Sequence, residues 1–394
     1  MSQLHDAVLV AYGRTAYAKA KKGSFARTHP VEFAAQALRG VLARAPKLPL
    51  SEIEDLIVGC ALPQGVQGNN LAKLIAVRAG LPDTVSAQTV NRFCASGLQA
   101  VATAANAIRC GEAEVLVAGG VESMSLVPMY SMSDSEFDPW LLSNAPDAYM
   151  PMGLTAERVA QRYHITRPEM EQMAVESHRR AAAAQKAGCF TDQIVPVTVL
   201  DPEKGPVTVT RDEGIRPETN LESLAALKPC FQEDGLVTAA TSSPTTDGAG
   251  FLVLMSAEKA AALEIEPIAR FVCYAVGGVP AEIMGIGPTV AVPKVLKKAG
   301  LSLEDMDTIE LNEAFASQTL ACVRTLGMDP AKVNPEGGAL ALGHPLGATG
   351  AMLTCKALSR LARTGGRYGL VTMCIGGGMG AAGVFELLST RQQT

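Results

Sequence analysis

Apolar positions along this chain follow two periods in alternation. Ala7-Val8-Leu9-Val10-Ala11 is an unbroken apolar run closed by Gly13-Arg14, and it predicts a buried strand. From Pro30 to Ala45 the apolar spacing changes to three and four residues, which predicts an amphipathic helix. Leu56-Ile57-Val58 running into Gly59-Cys60-Ala61 reads as strand, then loop. Ser96 to Cys110 reads as a helix, and Glu114 to Gly120 as a buried strand ending in a glycine pair. Late in the chain the order returns: Ala348 to Thr364 is helical, and Gly369 to Cys374 is an apolar strand closed by glycines.

This recurrence predicts two similar halves, residues 1–120 with 250–271, and residues 272–394. Between them, residues 121–249 have a different texture and read as an inserted lobe. The lobe has Met- and Pro-containing turns, an acidic segment from Met132 to Asp138, and an amphipathic helix from Arg167 to Ala187. Asp201 to Asn220 is rich in turn residues and is expected to be irregular.

With 394 residues, 48% of them apolar, the chain can build several packed cores, and disorder is excluded. The nine cysteines are odd in number and include no CxxC pair, so a reducing, cytoplasmic setting is expected. No apolar run is long enough to span a bilayer, and no signal-peptide pattern is present. A net charge of −5 argues against nucleic acid as a partner. Lys19, Lys21, Lys22 and Arg27 form a basic patch that reads as a solvated loop.

Candidate chemistry gathers at four short segments. Cys94 stands where an extended stretch meets a helix of small residues, and a helix N-terminus favours a thiolate. His344 lies in Gly343-His344-Pro345, a turn expected to hold the ring at a loop tip. Cys374 precedes Ile375-Gly376-Gly377-Gly378, whose backbone can approach a ligand or bind an oxyanion. Asn312-Glu313-Ala314-Phe315 follows a short apolar run. Each has a plainer reading: a buried cysteine as a small hydrophobe, a surface histidine, a tight turn. A thiol nucleophile, an imidazole base and a second thiol for proton traffic together suit acyl transfer to and from thioesters.

Asn91-Arg92-Phe93-Cys94-Ala95-Ser96-Gly97, Asn312-Glu313-Ala314-Phe315-Ala316, Gly338 to Gly347 and Cys374 to Gly380 together resemble the thiolases, in the right order over nearly the whole chain. With the repeated halves, the resemblance implies a duplicated α/β fold of five layers, α-β-α-β-α, in which two mixed sheets enclose central helices and a loop lobe is inserted. It implies Cys94 as the acylated nucleophile, His344 as its base and Cys374 as the acid/base at the substrate α-carbon. Asn312, through a water shared with His344, would form one oxyanion hole, and the backbone N–H groups of Cys94 and Gly376 the other. Arg216 resembles a position near the adenine nucleotide of coenzyme A, and Ser243 one near its pantetheine arm. Met152, Phe231, Met284 and Phe315 resemble residues lining the pantetheine and acyl tunnel. One arginine and a neutral tunnel fit a ligand whose phosphates stay largely in solvent.

Pro151 stands where acetoacetyl-CoA thiolases usually have histidine, and this favours degradative 3-ketoacyl-CoA thiolysis in fatty acid β-oxidation. The other reading is condensation of two acetyl-CoA. The resemblance implies no metal and no permanently bound cofactor, with coenzyme A and acyl-CoA as substrates. It also implies a homodimer or homotetramer and leaves open a hydratase/dehydrogenase subunit alongside. A β-ketoacyl synthase commonly has a second histidine where this chain has Asn312, and nothing here resembles the local cysteine signature of papain-like hydrolases. A non-catalytic acyl-CoA-binding scaffold would not need Cys94, His344 and Cys374 intact.

Overall fold

The computed structural model describes residues 4–129 and 134–389. Met132 and Ser133 of the predicted acidic segment lie outside the described residues. The first part of the chain forms β1 (Ala7–Arg14), β2 (Ala18–Lys19), α1 (Pro30–Leu42), β3 (Asp55–Gly59), α2 (Leu71–Ala79), β4 (Ser86–Val90), α3 (Ser96–Cys110) and β5 (Val115–Ser123). An excursion follows, with α4 (Pro139–Asn144), α5 (Met152–Arg162), α6 (Arg167–Lys186), β6 (Val197–Asp201), β7 (Gly205–Val209) and α7 (Leu221–Ala225). The chain re-enters the sheet as β8 (Thr246–Ser256) and continues with α8 (Ala257–Ala262), β9 (Ala269–Gly278), α9 (Pro288–Ala299) and β10 (Thr308–Leu311). It closes with α10 (Ala316–Leu326), α11 (Ala339–Leu342), α12 (Thr349–Thr364), β11 (Tyr368–Ile375) and β12 (Met379–Leu387).

The main strands run in the order β10-β11-β12-β9-β1-β8-β5-β3-β4, with β2 beside β8. The β4-β3-β5-β8-β1 half mirrors the β10-β11-β12-β9 half, in which the bridge Ile309–Val333 stands where β4 would be. β3–β4, β3–β5 and β10–β11 are parallel and the remaining pairs antiparallel, so both halves are mixed. The two half-sheets touch edge to edge where β1 pairs β9 at only Val8–Arg270 and Leu9–Ala269, which makes them one ladder with a narrow seam.

Folding about that seam encloses α3 and α12. Leu98, Val101 and Ile108 of α3 and Leu358 and Leu361 of α12 share one core with Leu9 and Leu252 from the first half and Val371 and Phe385 from the second. The outer faces are closed by α1 and α2 through Phe33, Leu38 and Ile75, and by α9 and α10 through Val292, Val295 and Cys322. The layers are therefore helix, sheet, helix, sheet, helix. The two central helices meet backbone to backbone at their N-termini: a Cβ on Gly97 would lie 2.8 Å from the Gly347 carbonyl, and one on Gly350 2.4 Å from the Leu98 nitrogen. Only glycine permits this approach, and it brings the segments preceding α3 and α12 together.

Part of the stretch expected to be irregular is ordered. β6 and β7 form a hairpin from Val197–Val209 to Asp201–Gly205. Asp201 Oδ1 accepts the Glu203 and Lys204 N–H groups at 2.9 Å each, and Gly205 takes φ +73°. The turn residues hid a two-residue period, Val197-Val199 facing Val207-Val209. Among the described residues no helix is long and apolar enough to cross a membrane.

Candidate active site

Cys94 sits in a 3₁₀ turn, Phe93–Ala95, between β4 and α3. Short polar side chains shape that turn. Asn91 Oδ1 accepts the Phe93 N–H at 2.8 Å, while Ser96 Oγ accepts the Arg92 N–H at 2.9 Å and donates to the Phe93 carbonyl at 2.6 Å. They hold Phe93 at φ +43°, a left-handed conformation that costs a non-glycine residue energy. The strain sits immediately before the thiol.

His344 is not at a loop tip: it is 5% exposed. The turn is pinned to the start of β8, where the His344 N–H donates to Thr246 Oγ1 at 3.2 Å and Thr245 bridges to His344. Its Nδ1 lies 2.6 Å from Thr349 Oγ1, at the start of α12, and its Nε2 lies 3.3 Å from Asn312 Nδ2. An amide nitrogen only donates, so Nε2 carries the lone pair and Nδ1–H donates to Thr349. Burial pushes the imidazole pKa down to about 3, so the ring is neutral and free to accept a proton.

Burial also pushes the Cys94 thiol up to about 11, although the Gly376 N–H and its own backbone N–H pull the other way. The helix N-terminus therefore does not leave a resting thiolate, as the sequence suggested; desolvation wins. Cys374, fully buried at the end of β11, is raised well above an ordinary thiol, first by burial and then by Cys94 and Cys322. All three groups therefore rest uncharged near neutral pH.

Cys94, His344 and Cys374 line one cavity of about 330 Å³. Met152, Phe231, Ser243, Met284 and Phe315 line it as well. Phe231 and Phe315 meet edge to face at 6.0 Å, and Phe231 lies so close to Gly153 that any Cβ there would strike its ring. The Ser243 N–H is fixed by the Ala314 carbonyl at 2.9 Å. Asn312 is buried behind His344, with its Oδ1 bonded to no described protein group. Gly376 approaches the Cys94 sulfur through its N–H. Arg216 is exposed and outside the lining, and Pro151 caps α5 from an exposed position without reaching the cavity.

Two buried carboxylates that sequence reading passed over hold this geometry. Glu122, at the end of β5, accepts Ala61 N–H at 2.8 Å, Leu62 N–H at 3.3 Å, Gln67 Nε2 at 2.7 Å and Gly347 N–H at 2.8 Å. It ties the His344 turn to the loop after β3. Glu313 accepts Ser177 Oγ at 2.7 Å, Asn334 Nδ2 at 2.8 Å and Leu340 N–H at 3.2 Å, which fixes the loop bearing Asn312. Burial raises both carboxyl pKa values, and their donors oppose it. The available signal was a lone acid closing an apolar strand.

Residues 7–258 match the thiolase N-terminal domain and residues 265–387 the thiolase C-terminal domain. The chain is 49% identical over 392 residues to a 3-ketoacyl-CoA thiolase of Bacillus subtilis, covering 98% of this chain and 100% of that one. It is 46% identical over 386 residues to the human peroxisomal 3-ketoacyl-CoA thiolase, covering 97% and 91%. Among solved structures, a Bacillus anthracis acetyl-CoA acetyltransferase superposes with TM-score 0.92 at 40% identity, and the human mitochondrial 3-ketoacyl-CoA thiolase with 0.90 at 37%; each match covers 98% of this chain and 100% of the other. Sequence, architecture and the thiol-lined cavity agree: the chain belongs to the thiolase family of acyltransferases.

Proposed function

We propose that this chain cleaves 3-ketoacyl-CoA with coenzyme A, releasing acetyl-CoA and a shortened acyl-CoA, within fatty acid β-oxidation. The observation that carries this reading is the convergence of Cys94, His344 and Cys374 on one cavity. Cys94 gives its proton to His344 Nε2, and the sulfur attacks the 3-keto carbon. The bond between C2 and C3 breaks, the acyl group stays on Cys94, and the Cys374 thiol protonates C2 of the departing enolate. Cys374 regains a proton from the incoming CoA thiol. The CoA sulfur then displaces Cys94, which takes its proton back from His344. Enolate and tetrahedral oxyanions need preorganised donors. The Cys94 and Gly376 N–H groups suit one, and His344, with a water on Asn312, suits the other. The neutral imidazole supports this order of events, because an imidazolium could not accept the first proton.

Intact-mass analysis after incubation with acyl-CoA tests the acyl-enzyme: the added acyl mass should vanish in Cys94→Ser, and label on Cys374 would reverse the roles. Cys374→Ser should damage carbon–carbon bond making and breaking far more than loading of Cys94 from acyl-CoA, since a hydroxyl is a poor base at the α-carbon; equal losses in both would give Cys374 another role. The similarity to an acetyl-CoA acetyltransferase structure supports a second reading, condensation of two acetyl-CoA. A substrate series from acetoacetyl-CoA upward separates the two.

Association through β4 belongs to the same proposal. Among the described residues this strand pairs only with β3, Ser86 and Gln88 are exposed, and it leads directly to Cys94. Pairing with a second copy would cover the edge, giving a homodimer or homotetramer. A fully active monomer by light scattering would refute it. The free cysteines support a reducing, cytoplasmic setting.

A further inference from the structure

α5 begins in the cavity wall, where Met152 and Gly153 of its first turn belong to the lining, and its next turn is tied to three further segments of that lining. Glu157 accepts the Leu236 and Val237 N–H groups at 2.9 Å each, which fixes the turn that follows Phe231. Ser317 Oγ donates to the Ala156 carbonyl at 3.0 Å, next to Phe315 at the start of α10. Arg158 reaches the segment that bears Met284. Its Nη1 donates to Glu282 Oε2 and, at 3.3 Å, to Asp147 Oδ1 in the turn Pro146–Tyr149. Glu157 and Ser317 are buried, whereas Arg158, Asp147 and Glu282 are half-exposed.

The Met284 segment needs such a tie more than the other two. It is a single 3₁₀ stretch, Ala281–Ile286, interrupted at Ile283, whose φ −126° and ψ 34° are not helical. Its apolar backing is small: Ile283 and Ile286 share a cluster with Val159 of α5 and Ala321 of α10. Gly285 packs so tightly on α10 that a Cβ there would lie 2.8 Å from Gln318 Cβ, which leaves the segment no room to move inward. Movement is therefore open only away from α5. On the solvent side that movement is opposed by Arg158 and Glu282, with Arg162 Nη1 3.9 Å from Glu282 Oε1.

We propose that Arg158 is a positioning residue, which clamps the Met284 segment to α5 and so limits the acyl-chain length that the cavity accepts. The choice of an acyl ligand rests on the thiolase reading above. Arg158 does not line the cavity, so its effect reaches a ligand only through the spacing of Met152 and Met284. A half-exposed ion pair is weak, and this clamp accordingly grades chain-length preference instead of switching activity on or off.

Calorimetric titration of S-butyl-CoA and S-decyl-CoA, thioethers that Cys94 cannot cleave, tests this beside thiolysis of 3-ketoacyl-CoAs with the same chain lengths. The preference for the longer chain should rise about two- to fivefold in Arg158→Leu and in Glu282→Gln, the range open to a half-exposed ion pair. It should rise no further in the double variant, because both changes remove one interaction. Both Arg158 bonds come from one nitrogen, so Arg158→Lys should keep the wild-type preference. Added salt should raise the preference of the wild type and leave the double variant unmoved. An unchanged preference in Arg158→Leu would overturn the proposal, as would an equal loss of affinity for both chain lengths, which would make the ion pair a matter of stability alone. A preference that follows Arg158 without thiolysis of any 3-ketoacyl-CoA would remove the proposed reaction and leave the clamp standing. Intact thiolysis with the preference unmoved would remove the clamp alone.

Discussion

At the scale of single residues, burial denies charge to the three groups that the proposed reaction asks to exchange protons. His344 lies buried between Thr349 and Asn312 with its pKa pushed down to about 3, so lowering the pH to 6 leaves its lone pair available. Between about 3 and the ordinary 6.5 the folded ring stays neutral where the unfolded ring would be charged. Activity measured as kcat/KM should therefore show no acid limb near 6.5; a limb centred there would mean that the ring titrates as an exposed histidine does. Glu122 is the residue to change next to it. Glu122→Gln puts an amide donor against N–H groups that now donate to a carboxylate, so the turn bearing His344 should shift. A shift of about 1 Å can cost on the order of 100-fold in rate. Because the Glu122 charge also helps to keep the Cys94 thiol protonated, the pH midpoint of Cys94 alkylation should fall in the same variant. A lower melting temperature with both readouts unchanged would leave Glu122 a purely structural role.

At the scale of elements, the decisive contact is the crossing of α3 and α12. Gly97→Ala would place a methyl 2.8 Å from the Gly347 carbonyl and 2.9 Å from the Ala351 nitrogen, both backbone, so neither can turn aside. Overpacking of this kind costs about 1–3 kcal/mol, and here it should also separate Cys94 from His344. Urea unfolding and acyl loading measured together should both suffer; normal loading would show that the helices can slide. A second lock joins β10 to α12, where Lys356 Nζ lies 2.9 and 2.7 Å from the Glu310 oxygens with both side chains fully buried. Lys356→Met should cost roughly 3–5 kcal/mol by stranding the carboxylate, and Glu310→Leu/Lys356→Met much less. Both helices were readable from their small-residue periodicity, as were β5 and β11, although β5 does not stop at the Gly119-Gly120 pair but runs on to Ser123 through its pairing with β8, and β11 ends at Ile375. The burial of His344 was not, because Gly343-His344-Pro345 is a turn by local rules and only the distant Thr246 and Glu122 close over it. The β6–β7 hairpin was missed for a similar reason: its register depends on pairing that turn composition conceals.

At the scale of the whole molecule, the thiol-lined cavity belongs to neither half. The first half brings Cys94, the second brings Asn312, His344 and Cys374, and the excursion between β5 and β8 supplies Met152, Phe231 and Ser243. The duplication was legible because each half repeats its own local order, and the residues that line the cavity were legible because their motifs are contiguous. Which side of the lobe faces them was not legible. Pro151 was read as favouring degradative substrates, yet it lies outside the cavity, so substrate length depends on the cavity wall itself. That wall includes Met124, Met129, Met152 and Met284, unbranched side chains that can repack around ligands of different length. Each further CH₂ buried there is worth about 0.8 kcal/mol, roughly fourfold in kcat/KM. Efficiency should therefore climb from four acyl carbons to six and beyond until the cavity of about 330 Å³ is filled. Met284→Phe should shift the optimum to shorter chains by taking up that space. A steep fall between four and six carbons in the wild type would instead identify an acetyl-CoA acetyltransferase, with the methionines packed too rigidly to yield.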